Sequence, residues 1–215
     1  MTNLDSDLDI KYDQLCNLAS DINEHLPTLY EYTKKCNSVL ELGVRSAVSS
    51  FAFTKGLRDT NGINKRLISC DIQRISDSLN SVLIKKFCND NNIEYTFILK
   101  NDLDIVIPDE VKIVDITFID TWHIYGQLKR ELKKFAPITT KYIILHDTEL
   151  DKEFGETIRS NWDARSQSEA TGIPIEEINR GLEPAISEFL RDNANWNMDY
   201  QVTNNNGLTV LKRIN

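Results

Sequence analysis

Apolar positions along the chain switch between two spacings. From Tyr12 to Tyr32 they recur at helical intervals through Leu15, Leu18, Ile22, Leu26 and Leu29, and Pro27 breaks or restarts that helix. Ser38-Val39-Leu40-Glu41-Leu42 is a short apolar run closed by Gly43, which predicts a strand. Helical spacing returns from Ser46 to Leu57. Further strands are predicted over 66–70, 95–99, 113–119 and 142–145. The first of these ends at Asp71, the third at Asp120 and the last at His146-Asp147. Leu79, Val82, Leu83 and Phe87 predict an amphipathic helix, and 125–135, closed by Pro137, predicts another.

Apolar strands alternating with amphipathic helices call for a parallel sheet covered on both faces. The tail differs. Ala185, Ile186, Phe189 and Leu190 form a helical stripe. The runs 198–203 and 208–211 then flank Asn204-Asn205-Asn206-Gly207, a turn sequence that predicts a C-terminal antiparallel hairpin. The weakly patterned stretch 149–181, with Gly155, Gly172 and Pro174, reads as a lid or substrate loop, with a disordered connection as the alternative.

A length of 215 residues suits one domain over 1–215, with 1–36 as an N-terminal helical segment. Charge narrows the partners. With 25 Lys+Arg against 33 Asp+Glu the net charge is −8, which argues against a nucleic-acid face or docking on an anionic membrane. A small molecule or a glycan is compatible with it. No apolar run approaches the roughly 20 residues of a membrane span. Met1 to Asp9 lacks the basic and apolar regions of a secretory signal, so a cytoplasmic location is expected. Cys16, Cys36, Cys70 and Cys88 form no CxxC and read as free thiols.

Ligands of parallel α/β domains bind at the carboxyl ends of the strands. After the first strand, Gly43 lets the backbone approach a ligand. Val44, Ser46 and Ser49 then lead into a helix that presents free N–H groups. Asp71, after the second strand, is placed to accept ribose hydroxyls, and Asn101 and Asp102 suit an adenine edge. Together they describe an adenosine-containing ligand. The absence of GxGxxG disfavours a nicotinamide dinucleotide.

Asp120 and Asp147 end later strands and are candidates to share a hard divalent cation. His123, one helical turn beyond Asp120, is a candidate general base. His146 is a candidate ligand or a packing residue. His25 reads as structural. Trp122 and Trp162 read as packing residues, with stacking on a sugar face as the alternative.

Val39-Leu40-Glu41-Leu42-Gly43-Val44 resembles motif I of class I S-adenosylmethionine-dependent methyltransferases. The stretch from Phe118-Ile119-Asp120-Thr121-Trp122-His123 to Tyr142-Ile143-Ile144-Leu145-His146-Asp147-Thr148 resembles the branch that holds cephalosporin hydroxylase-like proteins and macrolide-sugar O-methyltransferases. The resemblance implies a Rossmann-like class I methyltransferase fold of α/β class. Its sheet would have seven mostly parallel strands and a C-terminal antiparallel hairpin, with helices on both faces.

It also implies that Glu41 lies near the methionine amino group, that Gly43 packs on the cofactor, and that Ser49 holds the methionine carboxylate. Asp71 would bind ribose, and Asp120 would border the cofactor and ligate the metal with Asp147. His123 would be the base. Two positions depart from the pattern: Ala47 replaces a glycine, and His146 replaces an acidic ligand. Mg²⁺ is the metal implied by the resemblance, while an imidazole ligand favours Mn²⁺ or Fe²⁺. The implied activity is O-methylation of a sugar hydroxyl, such as that of a deoxysugar like rhamnose, free or in a glycan, by a possible homodimer. A catechol-like O-methyltransferase and a non-catalytic adenosine-binding module are the alternatives.

Overall fold

The computed structural model describes residues 7–214. Of the acidic stretch read above as no secretory signal, residues 1–6 lie outside them. The strands are β1 Ser38–Leu42, β2 Arg66–Asp71, β3 Glu94–Leu99, β4 Val114–Ile119, β5 Thr139–His146, β6 Trp196–Val202 and β7 Leu208–Arg213. They form one mixed sheet in the order β3-β2-β1-β4-β5-β7-β6. β1, β2 and β3 pair in parallel, whereas β7 pairs antiparallel with both β5 and β6. This is the mostly parallel sheet with a terminal antiparallel pair that the residue pattern predicts. The chain divides into two compact units, Met1–Phe118 and Ile119–Asn215.

In the first unit the helices are α1 Asp7–Asn17, α2 Leu26–Thr33, α3 Val48–Asp59 and α4 Ser78–Asp90. The expected helix from Tyr12 to Tyr32 is interrupted earlier than Pro27. α1 stops at Asn17, and Asn23 ties the following turn by accepting from Ser20 N and donating to Cys16 O. Pro27 instead lies in the first turn of α2, where a missing N–H costs nothing. Every residue of β1 is buried, as a central strand requires.

On α4 the predicted stripe is a correction. Leu79 and Val82 are exposed, and the buried face is Asn80, Ile84, Phe87 and Cys88. That face has regular helical spacing but opens on a polar residue. Asn80 is buried because its side-chain amide donates to Ser46 O at 2.8 Å. All four cysteines are free thiols.

In the second unit α5, Tyr125–Phe135, buries Leu128, Leu132 and Phe135. β5 begins three residues before the predicted run because Thr139 is buried and its hydroxyl donates to Phe135 O. The segment 149–181 is folded rather than open. It carries the short helices α6 Glu156–Arg159, α7 Ala164–Thr171 and α8 Ile175–Ile178, and α9 Glu183–Asp192 follows it. Asp151, Thr157, Ile173 and Ile178 within it are buried. Gly181 is required there, since a Cβ would collide with the backbone of Asp151 and Lys152.

Trp122 packs against the cluster of Ile124, Ile173 and Ile178, and its Nε1 donates to Thr157 Oγ1. Of the two alternatives for Trp122, packing is the one observed; Trp162 stays half exposed. The hairpin turn falls where predicted, with positive φ at Asn205, Asn206 and Gly207. Among the described residues no helix is long and apolar enough to cross a membrane.

Candidate functional site

The first unit places the predicted cofactor residues around the turn between β1 and α3. Gly43 has φ 82°, and the non-glycine residues Arg45 and Ala47 have φ 46° and 62°. A left-handed backbone at ordinary residues costs roughly 1–2 kcal/mol each, so the turn must be held by its surroundings. Asp71 holds it. Its Oδ2 accepts from Val44 N at 2.8 Å and Arg45 N at 2.9 Å, and its Oδ1 accepts from Gln73 N. Ser76 N and Oγ both donate to Arg45 O, and Arg45 pairs with Asp21 at 2.6 Å. The predicted ribose acid therefore serves the turn itself through two hydrogen bonds, and a third holds the backbone just after β2, so three of the roughly four lone-pair sites of the carboxylate are used.

Glu41 is fully buried and turned inward. Ser49 and Ser50 donate to its Oε1 at 2.6 and 2.9 Å, and Ser69 donates to its Oε2 at 2.6 Å. One carboxylate thus ties β1 to β2 and to the first turn of α3. Ser49, read above as holding a methionine carboxylate, gives its hydroxyl to Glu41. Ser46 is partly buried at the turn, with its carbonyl held by Asn80. Asn101 is exposed and caps Leu103 N, and Asp102 is buried beside it. Burial first, then the charge of Asp102, pushes the Cys70 thiol up to about 12, so it stays protonated and inert.

The second unit brings together all four residues predicted for the metal and the base. Asp120 Oδ1 stands 3.1 Å from His123 Nε2 and 3.1 Å from His146 Nδ1. His123 Nδ1 faces Asp147 Oδ2 at 3.0 Å, Asp151 Oδ2 at 3.5 Å and Glu156 Oε2 at 3.6 Å. His146 Nδ1 is 3.4 Å from Asp147 Oδ1. Asp147 adopts φ 56°, the left-handed turn that follows β5.

Burial opposes charge on Asp120, but the His146 and His123 imidazoles outweigh it and hold the carboxyl well below its usual range. Burial likewise works against a charged His123. The Asp120 contact and the charges of Asp147 and Glu156 prevail, and the imidazole sits above its ordinary value. Asp147 is raised, chiefly by burial.

Asp151 and Glu156 are members of this cluster that the residue pattern did not single out. They lie in the weakly patterned segment, where no periodicity marks them. Arg159 pairs with Asp151 at 2.7 Å and offsets part of the acidity.

Among the described residues, two sets of side chains have ligand atoms close enough to share a cation: Asp120, His146 and Asp147, and His123, Asp147 and Asp151. In the first set the spacings of 3.1 and 3.4 Å match neighbouring ligands on a six-coordinate ion with bonds of about 2.2 Å. Asp147 Oδ1 is buried without a hydrogen-bond partner. A buried acceptor left in that state calls for a ligand. The donor set therefore fits a divalent metal.

The O-methyltransferase TomG of Streptomyces achromogenes, involved in tomaymycin synthesis and solved with S-adenosylmethionine, superposes with a TM-score of 0.59 at 11% identity, over 98% of this chain and 91% of that one. The fold is shared with S-adenosylmethionine-dependent methyltransferases. The methyltransferase PaMTH1 of Podospora anserina, bound to S-adenosylhomocysteine, gives a TM-score of 0.55 at 12% identity over 98% and 89% of the two chains. An O-methyltransferase of Bacillus cereus in complex with S-adenosylhomocysteine gives 0.53 at 13% identity over 99% and 93%. No protein-family model matches the chain, and no curated protein matches it. The Rossmann-like class I methyltransferase fold expected from motif I is the fold observed.

Proposed function

We propose that the chain is an S-adenosylmethionine-dependent O-methyltransferase whose acceptor is a sugar hydroxyl, with His123 as general base and a divalent metal held by Asp120, His146 and Asp147. The convergence of these four side chains at strand ends carries the reading. The fold shared with cofactor-bound O-methyltransferases supports the cofactor. The turn at Gly43 and the helix behind it supply the backbone approach and N–H groups that a methionine carboxylate and an adenosine need.

The chemistry is one displacement. The acceptor oxygen attacks the sulfonium methyl, the carbon–sulfur bond breaks, and S-adenosylhomocysteine leaves. The hydroxyl proton passes to His123. Asp120 and Asp147 flank that imidazole and stabilise it once charged. When bound, the metal would lower the pKa of the acceptor hydroxyl and fix its orientation. An alkyl hydroxyl is a poor acid, and a base with two carboxylate neighbours suits it better than it suits a phenol.

The test is transfer of a labelled methyl group to a panel of deoxysugars, glycans and catechols, with and without chelator. Chelator-sensitive transfer to a sugar supports the reading. Transfer to catechols alone overturns the acceptor assignment.

A further inference from the structure

We propose that His146 is a direct metal ligand and that its imidazole makes the site select a first-row transition ion over Mg²⁺. The inference rests on the metal-assisted reading above and names the class of ion that reading requires.

Four observations converge. His146 ends β5 with its side chain almost wholly buried, so its ring cannot turn away from the cluster. Its Nδ1 lies 3.1 Å from Asp120 Oδ1 and 3.4 Å from Asp147 Oδ1, at the corner between the two carboxylates. Asp147, itself more than nine-tenths buried, aims Oδ1 into this corner, and that atom has no hydrogen-bond partner. A second imidazole, His123, stands 3.1 Å from the same Asp120 oxygen.

A cation seated between Asp120 and Asp147 must meet a nitrogen donor. Mg²⁺ is hard, prefers an all-oxygen shell and gives up water reluctantly. Imidazole is a borderline donor that favours Mn²⁺, Fe²⁺ or Zn²⁺ increasingly along the row. A second carboxylate in place of His146 would add a negative charge and restore the hard donor set that Mg²⁺ takes. The side chain at position 146 is thus the specificity determinant for the metal.

The test uses the full chain stripped of metal and titrated by calorimetry with MnCl₂ and with MgCl₂. Pulsed electron paramagnetic resonance of the Mn²⁺ form reads nitrogen coupling. Expected are a Mn²⁺ affinity at least about tenfold above that of Mg²⁺, and a nitrogen coupling that disappears in His146→Asp and persists in His123→Ala. His146→Asp should also narrow the Mn²⁺/Mg²⁺ ratio. Equal affinity for the two ions, or Mn²⁺ bound without nitrogen coupling, overturns the inference and leaves a metal site in place. Loss of the coupling in His123→Ala but not in His146→Asp moves the ligand to His123 and overturns it as well. Binding of neither ion to the wild-type chain overturns the metal-assisted reading itself. If His146→Asp does not fold, the wild-type affinity ratio and coupling decide the matter alone.

Discussion

The Nδ1 atom of His123 faces Asp147 Oδ2 at 3.0 Å, so the imidazole lies between two aspartates, with Asp120 on its other nitrogen. These contacts fix the ring, and the surrounding carboxylates favour its charged form over burial. His123→Ala is expected to lower turnover by about 10²- to 10⁴-fold, with the affinity for S-adenosylhomocysteine unchanged. Initial rates and calorimetry on the same preparation check this. Full turnover in the variant would remove His123 from the chemistry.

Glu41 carries the hydroxyls of Ser49, Ser50 and Ser69 in a fully buried site. Glu41→Ala leaves three hydroxyls without their acceptor, and a loss of about 3 kcal/mol in urea denaturation is expected. Ser50→Ala removes one donor and is expected to cost about 1 kcal/mol. A Glu41→Ala variant as stable as the wild type would show that the serines find other partners.

Strand ends were the legible part of this molecule. Asp71, Asp120 and His146-Asp147 follow short apolar runs, and parallel topology puts such residues on the ligand edge. Orientation at that edge was less legible. Asp71 turns back onto the amides of Val44 and Arg45, and Glu41 turns into the core, because each side chain obeys local donors that spacing does not reveal. The buried face of α4 departs from the apolar stripe because Asn80, a polar residue, buries by bonding to Ser46 O while Leu79 and Val82 are left outside. Asp151 and Glu156 carry no periodic signal, because backbone contacts such as Gly181 N to Glu153 O help hold their part of the segment and its buried apolar residues, Ile173 and Ile178, lie further along the chain.

Closure of the Gly43–Ala47 turn depends on Asp71. Asp71→Ala deprives the Val44 and Arg45 amides of their acceptor, and a destabilisation of about 1–3 kcal/mol is expected. Since the same turn is assigned to the cofactor, the affinity for S-adenosylhomocysteine should fall in the same variant. Calorimetry reads the affinity and thermal unfolding the stability; unchanged values for both would contradict the role of Asp71 in the turn.

Stability should also carry an acid-sensitive component at Asp59. Burial opposes its charge, but hydrogen bonds from Arg58 at 2.6 Å and Tyr30 at 3.0 Å outweigh it and lower its pKa. A lowered folded-state value means the contribution is present above the ordinary carboxylate range and lost as pH falls through the folded value. Asp59→Asn is expected to cost about 1 kcal/mol or less at neutral pH, with the difference closing as pH falls below the ordinary carboxylate range and through the lowered folded-state value. Denaturation curves of the two proteins across that range check the sign. A gap that widens on acidification would contradict it.

The central claim is that the first unit binds S-adenosylmethionine. Its most direct test is calorimetric titration of the purified chain with S-adenosylhomocysteine. Micromolar, one-to-one binding that weakens in Asp71→Ala is the result the account predicts. No heat of binding at millimolar ligand, with or without divalent metal, would contradict it and leave a methyltransferase fold without the cofactor.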